Sequence, residues 1–384
     1  MNAEKFNFKL AGSVIFGNGC LSEVPQVLKD LSSKSVCIVT DPGVAGTGIL
    51  KKLTDLLKGT NLKVVTFDEV EPEPDILSVD KCAKLAGKNK VDAFIGLGGG
   101  SPMDVAKGAS IVARHSGSIF DYLGVNNVPG GTVTKILIPT TAGTGSEVTP
   151  FAIFKDKAKN AKTAIQSRHV VSDIALLDPT LTASCPPRVT AICGIDALGH
   201  AIESYTSVNA SPMSAQFSIE GIGLLGRYIL QAFGNGDNAE ARSAMMLGSH
   251  YAGIGIANAG SGAVGALSYP VEGKYHVIHG VSNAIVMPAI FRYNAVADYE
   301  KFEEICDALD LDYSSGKDAA EQVARFITEL TRTFGFPQRL GEVGVKKEDL
   351  KAFAADAFNR QRILINNMRK LDLNDIVKIY EAAL

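Results

Sequence analysis

The chain has 384 residues, enough for two domains of ordinary size, each with its own core. Hydrophobic residues make up 46% of it and the net charge is −3, so it reads as soluble and globular, without the basic excess of a nucleic-acid binder. Six scattered cysteines form no C-x-x-C pair; neither a disulfide framework nor a thiolate zinc site is suggested, and a reducing cytoplasm fits best.

The opening residues run into Phe6-Asn7-Phe8-Lys9, too polar for a signal peptide. The longest weakly polar region, 252–267, is interrupted by Asn258, Ser261 and glycines, so no membrane partner is expected. Up to about residue 185, short apolar runs alternate with helical stretches, the pattern of a parallel sheet with crossover helices. Residues 35–40 form one such strand, which ends at Asp41-Pro42-Gly43. A carboxylate there suits the ribose hydroxyls of an adenine nucleotide and repels a 2′-phosphate; a plain turn former before Pro42-Gly43 explains it as well. Residues 62–67 form the next strand, before the Pro-punctuated loop 71–74.

Residues 92–97 are a buried strand running into Gly98-Gly99-Gly100-Ser101-Pro102-Met103-Asp104. Ser101 suits a helix N-cap, Pro102 the first helical position, and Asp104 completes an S-x-x-D capping signature. Three glycines before such a start let free amide hydrogens face an anion, most simply a nucleotide pyrophosphate. The run is neither G-x-G-x-x-G nor G-x-x-x-x-G-K-[ST], so spacing alone indicates a phosphate and leaves the ligand open. A further strand, 134–138, leads into Pro139-Thr140-Thr141-Ala142-Gly143-Thr144-Gly145-Ser146-Glu147, whose hydroxyls and glycines offer donors at the sheet's carboxyl edge.

Pro186-Pro187 marks the expected boundary between a domain of residues 1–185 and a second of 186–384. Beyond it the strand pattern gives way to helical periodicity, as over 215–231 and 299–308. Within Gly194-Ile195-Asp196-Ala197-Leu198-Gly199-His200, Asp196 and His200 are four apart and share a helix face. A carboxylate and an imidazole so placed can bind one divalent cation, but an unpartnered D-x-x-x-H is a weak motif that by itself reads first as a salt-bridged helix surface or a satisfied core histidine. His276 and His279, three apart, belong to a set of only six histidines.

Taken together these motifs resemble the iron-containing, or group III, alcohol dehydrogenases. The likeness runs over nearly the whole chain: Val39-Thr40-Asp41, the Gly98–Pro102 loop with Asp104 and Lys107, the 139–147 segment, Asp178-Pro179, the Asp196/His200/Glu203 helix, and His279-Gly280 with Asn283-Ala284 and Pro288. The resemblance implies an α/β plus all-α architecture: an N-terminal Rossmann-like parallel-sheet nucleotide domain, a C-terminal helical domain, and an active site in the cleft between them. It implies hydride transfer between a small alcohol or aldehyde and NAD, with a divalent metal, Fe2+ or Zn2+, as Lewis acid. By position, Gly98, Gly99, Gly100 and Ser101 with Asp104 fall on the pyrophosphate loop and Asp41 on the adenine ribose. Thr140, Thr141, Thr144, Ser146 and Lys162 fall on the remainder of the cofactor site. Asp196, His200 and His279 fall on metal-ligand positions. A homo-oligomer is implied by the same resemblance.

The chain departs from the family pattern at two places that usually carry histidines: a metal ligand falls on Gly265, and a residue near the nicotinamide falls on Tyr269. Three readings stay open. Asp196, His200 and His279 hold a metal completed by water or substrate; His276 replaces the missing ligand; or no metal is used, as in the similar maleylacetate reductases, and Tyr269 or His279 donates the proton. Arg360 and Arg362 fall near the expected substrate pocket, where guanidinium groups pair with an oxyanion, making an anionic aldehyde such as sulfoacetaldehyde attractive. Competing readings are a non-catalytic NAD-binding protein and a dehydroquinate-synthase type of lyase, whose chemistry demands a richer basic and metal-binding cluster.

Overall fold

Apolar runs separated by crossover helices assemble most of the first half of the chain into one parallel sheet. The computed structural model describes residues 5–10, 12–158 and 161–384, in two units. The first unit takes in Leu10–Cys185 and Gly236–Met246, the second residues 5–9, Pro186–Asn235 and Leu247–Leu384.

The strands are β1 (Ser13–Phe16), β2 (Ser35–Val39), β3 (Lys63–Phe67), β4 (Ala93–Gly98), β5 (Gly124–Val125), β6 (Thr134–Pro139), β7 (Phe151–Asp156), β8 (Ala161–Gln166) and β9 (Ile174–Leu177). Six of them form a sheet in the order β1-β9-β6-β4-β2-β3, every neighbouring pair parallel. Helices α1 (Val24–Asp30), α2 (Pro42–Gly46), α3 (Ile49–Leu57), α4 (Ile76–Asn89) and α5 (Gly100–His115) supply its connections.

Every residue of β2 and β4 is buried, because both faces of the sheet are covered. Alternate residues enter opposite cores: Cys37, Val39 and Phe94 in one, Val36, Ile38, Ile95 and Leu97 in the other. Each such aliphatic side chain contributes about 1.5–3 kcal/mol by its burial. Gly96 sets the distance between β4 and α5. A Cβ there would stand 3.0 Å from Met103 Cα and 2.8 Å from Leu137 Cδ2, too near for either neighbour.

Against the expected run of parallel strands, β7 pairs antiparallel with β8, which with β5 makes a separate three-stranded sheet. Its inward residues Ala152, Phe154 and Asp156 alternate with less buried ones, as a strand covered on one face requires.

The chain reverses direction across the main sheet between β2 and β4, since β3 lies outside β2 and β4 on its other side. Open parallel sheets bind ligands beyond the carboxyl ends of the strands at such a reversal. Asp41 stands two residues beyond the end of β2, and Gly98 is the last residue of β4.

From Pro186 onward every regular element among the described residues is helical. The helices are α6 (Pro187–Thr206), α7 (Pro212–Gly234), α8 (Ala239–Ala259), α9 (Ala263–Tyr275), α10 (His279–Ala295), α11 (Glu300–Leu309), α12 (Gly316–Thr333), α13 (Leu350–Phe358), α14 (Gln361–Leu364) and α15 (Leu373–Ala383). Proline at the first positions of α6 and α7 lacks only an amide hydrogen that a helix start leaves unused. From Gly194 on, α6 is buried apart from the half-buried His200, so its polar side chains there must find partners inside the unit.

Candidate functional site

In the first unit, α5 begins at Gly100 with Gly99 as its N-cap and no side chain capping it. The expected Ser101 cap and Asp104 capping partner do not form. Asp104 turns inward instead: Oδ1 accepts from Ser146 Oγ at 2.6 Å and Oδ2 from the Ile153 amide at 2.9 Å. The helix's first amides are therefore left without a side-chain cap, and with the positive helix end they suit an anion.

Gly98 completes the cradle. Its φ of +149° is one that side-chain-bearing residues rarely adopt, and a Cβ there would lie 2.7 Å from Pro102 Cγ. Thr141 and Thr144 border the next two glycines: a Cβ on Gly99 would stand 3.5 Å from Thr141 Oγ1, and one on Gly100 3.3 Å from Thr144 Oγ1. Thr140 donates its amide to Gly98 O at 3.0 Å, tying β6 to the loop. Asp41 caps α2 through the Val44 amide at 2.9 Å, and its Oδ2 lies 3.2 Å from where a Gly98 Cβ would be. Lys162 stands on β8, its Nζ 3.1 Å from Glu73 Oε1.

Beneath this loop Lys107 is fully enclosed. Its ammonium donates to Ser146 Oγ at 2.9 Å and to the carbonyls of Thr149 and Phe151 at 3.1 and 2.6 Å. Burial pushes the Lys107 ammonium down to about 8 and raises the Asp104 carboxyl. Ser146 is thus part of the loop's foundation, buried with both partners.

In the second unit, helical spacing puts Asp196, His200 and Glu203 on one face of α6, lining a cavity of about 40 Å³. Gly265 and Tyr269 of α9, and His279 and Asn283 of α10, line it as well. The space holds about two or three water-sized groups. Asp196 Oδ1 lies 3.7 Å from His200 Nε2 and 3.8 Å from His279 Nε2. Asn283 Nδ2 donates to Asp196 Oδ1 at 2.8 Å and approaches His279 Nε2 at 3.2 Å. His200 Nδ1 and Asn283 Oδ1 are buried and have no hydrogen-bond partner among the described residues.

Three further side chains stack outward from His279. Glu272 Oε1 meets His279 Nδ1 at 2.5 Å, and the Tyr269 ring lies over the imidazole with centroids 5.5 Å apart and planes 17° apart. The Arg360 guanidinium lies 4.9 Å from the centre of the Tyr269 ring. Arg360 Nη2 also donates to Asp356 at 3.2 Å, while its Nε is buried with no partner among the described residues. Arg362 is exposed on α14, and His276 is exposed at the C-cap of α9, outside the cavity lining.

Burial pushes the Glu203 carboxyl up to about 7, against the lowering effect of the Val264 amide it accepts at 2.7 Å and of the Gly262 amide. The sequence motifs contain Glu203 without giving it a role, and none of them contains Glu272. Both had a local signal: Glu203 is seven residues after Asp196, and Glu272 three after Tyr269, each on the same helix face as its neighbour.

Among the described residues no group of three or more His, Cys, Asp and Glu side chains is arranged to hold a divalent metal. Asp196 Oδ1 and His279 Nε2 both lie against the Asn283 amide, and a Cβ on Gly265 would meet nothing within 4 Å, open space that glycine leaves without a donor. The side chains present do not fit a closed metal centre. The cradle of the first unit, with its uncapped helix start, does fit a dinucleotide phosphate.

Comparison with known proteins places the whole chain in one family. The family description "Iron-containing alcohol dehydrogenase" matches residues 11–179, and "Fe-containing alcohol dehydrogenase family, C-terminal" matches 190–384. The chain is 35% identical to the sulfoacetaldehyde reductase of Bilophila wadsworthia over 96% of each chain. It is 34% identical to the NAD-dependent methanol dehydrogenase of Bacillus methanolicus, over 98% of this chain and all of that one. The crystal structure of a 1,3-propanediol oxidoreductase superposes with a TM-score of 0.95 at 32% identity, covering 99% of this chain and 100% of the other.

Proposed function

The chain belongs to the iron-containing alcohol dehydrogenase family and is an oxidoreductase of CH–OH groups, and on that premise we propose that it interconverts a short alcohol and its aldehyde with NAD(H). The observation that carries this reading is the convergence of Asp196, His200 and His279 on one small polar cavity, in a chain whose other unit presents an uncapped helix start after three glycines.

In this reading Gly98, Gly99, Gly100 and Ser101 hold the pyrophosphate of NAD, Asp41 the adenine ribose, and Thr140, Thr141, Thr144 and Lys162 the remainder. Asp104 and Ser146 keep the loop in shape through Lys107. NAD, when bound, supplies the hydride acceptor at the carbinol carbon. Tyr269 and His279 are the groups that exchange the hydroxyl proton, and Asp196 and Asn283 fix the direction in which His279 faces. The nucleotide role belongs to residues 1–185 and the substrate role to 186–384.

The relatives support NAD and, at the level of the family, a divalent metal; in our reading Asp196, His200 and His279 are the side chains that would face that metal, one donor short of a closed centre at Gly265. A metal-independent reductase similar to maleylacetate reductases is the second reading, favoured by the missing donor at Gly265 and the engagement of Asn283 with both Asp196 and His279. The substrate we favour is an anionic aldehyde, recognised by Arg360 beside Tyr269, with Arg362 as a further positive charge nearby; the relative named sulfoacetaldehyde reductase supports that class. Among the described residues no helix is long and apolar enough to cross a membrane. We assign the protein to the cytoplasm, on its scattered cysteines with no C-x-x-C pair, and to a homo-oligomer, on its family.

The test is NADH oxidation with a panel of neutral and anionic aldehydes, with and without a chelator. Turnover is expected, fastest with a short anionic aldehyde. No turnover on any aldehyde despite tight NADH binding would overturn the reading, and chelator resistance would decide for the metal-independent form.

A further inference from the structure

We propose that Glu272 is a positioning residue of the cavity, which holds the His279 ring in the tautomer whose Nε2 lone pair faces Asp196 and Asn283. The proposal rests on the reading of this cavity as the reaction site. Glu272 is 7% exposed and lies on α9 one turn after Tyr269, whose ring covers the imidazole. Its Oε1 is 2.5 Å from His279 Nδ1. An ionised carboxylate can only accept, so Nδ1 carries the hydrogen.

The opposite edge of the ring gives the same answer independently. Asn283 stands between Asp196 Oδ1 at 2.8 Å and His279 Nε2 at 3.2 Å. The Asp196 carboxylate accepts and cannot donate, so the end of the amide that faces it is the NH₂, whichever way an amide is first drawn. That nitrogen has two hydrogens and no acceptor capacity. One goes to Asp196 and the other to His279, whose Nε2 is therefore the acceptor. Donation at Nδ1 and acceptance at Nε2 describe a single neutral tautomer, fixed from both sides.

An isolated histidine in water favours the other tautomer, with its hydrogen on Nε2, which here would point a hydrogen at the Asn283 amide. Glu272 removes that alternative and leaves Nε2 as the acceptor on the cavity side, which exchanges the Asn283 N–H for the proton of a bound alcohol or for a cation. Outer partners of this kind set the effectiveness of the histidine they hold by about 10–100-fold.

The experiment uses full-length protein labelled with ¹⁵N-histidine, with His279→Ala to identify the resonances, and steady-state kinetics of Glu272→Ala and Glu272→Gln. The wild type is expected to show a protonated Nδ1 and an unprotonated Nε2 at His279. Glu272→Ala should move the hydrogen toward Nε2 and lower kcat about 10–100-fold with the NADH KM within about threefold. Glu272→Gln, whose amide oxygen still accepts, should retain the tautomer and most of kcat. An Nε2-protonated His279 in the wild type, an unchanged tautomer in Glu272→Ala, or a Glu272→Gln variant as impaired as the alanine one overturns the proposal. If wild-type protein turns over no alcohol or aldehyde, the reading of the cavity fails, while the tautomer measurement still decides the role of Glu272. Should Glu272→Ala not fold, the wild-type spectrum and Glu272→Gln decide alone.

Discussion

The ammonium of Lys107 lies 3.7 Å from Asp104 Oδ1, with Lys107 wholly enclosed beneath the glycine loop that starts α5. Two buried charges repay their desolvation only when both are hydrogen-bonded, and here Ser146, the Ile153 amide and two backbone carbonyls complete the set. Replacing Lys107 by Met strands the Asp104 carboxylate and leaves the carbonyls of Thr149 and Phe151 without this donor. Chemical denaturation should then show a loss of about 3–5 kcal/mol, and Asp104→Asn a smaller one.

Gly98→Ala tests the cradle directly. The substitution brings a Cβ within 2.7 Å of Pro102 Cγ at a φ of +149°, so the loop must shift away from its present course. Fluorescence titration with NADH should show at least about tenfold weaker binding, since an amide moved by about 1 Å no longer meets its phosphate.

Gly265→His asks whether the cavity is one ligand short. The new side chain enters open space, on a helix where any residue but proline is better tolerated than glycine, so the melting temperature should stay close to that of the wild type. Elemental analysis of protein purified without added metal should show a higher divalent metal content in the variant. Equal content in both would place the missing donor elsewhere.

Arg360→Ala should separate charge recognition from chemistry. If the guanidinium meets a substrate oxyanion, kcat/KM for a short anionic aldehyde falls about 30–100-fold, the loss expected of a charge-assisted hydrogen bond. Neutral aldehydes of the same length should change by no more than about threefold. Arg360→Lys should recover little, because a lysine cannot pair bidentately or stack on Tyr269 in the same manner.

Glu203 predicts a pH dependence. Its carboxyl is raised from the ordinary 4.5 to about 7, so the folded protein holds this proton more tightly than the unfolded chain does. The resulting stabilisation is complete below about pH 4.5 and is lost as pH rises through about 7. Glu203→Gln keeps an acceptor for the Val264 amide and never ionises. It should be the more stable protein at pH 8, by up to roughly 3 kcal/mol, and indistinguishable from wild type near pH 4. Denaturation curves at both pH values check the sign.

Much was legible without coordinates wherever a signal is local. Alternating apolar runs announced the parallel sheet, three glycines after a buried strand announced the phosphate cradle, and a four-residue spacing put Asp196 and His200 on one helix face. Those features depend on backbone geometry that nearest neighbours along the chain enforce. The capping pattern at Ser101 and Asp104 is local too, and there the local rule lost. Asp104 was claimed by Ser146 and Ile153, more than forty residues away, because a buried carboxylate gains more from these two enclosed donors, with the Lys107 ammonium beside them, than from capping a helix start that α5 leaves open.

Only tertiary packing decided what stands around the cavity. Tyr269 meets Arg360 across ninety residues of sequence, and Asn283 reaches back to Asp196 on another helix. Nothing in the spacing of a sequence specifies which faces of α6, α9 and α10 will meet, since that follows from how their apolar stripes fill one core. Residue types and helix faces were therefore set by the amino-acid order, while the bond between Glu272 and His279, and with it the edge of the imidazole that faces the cavity, was set by packing.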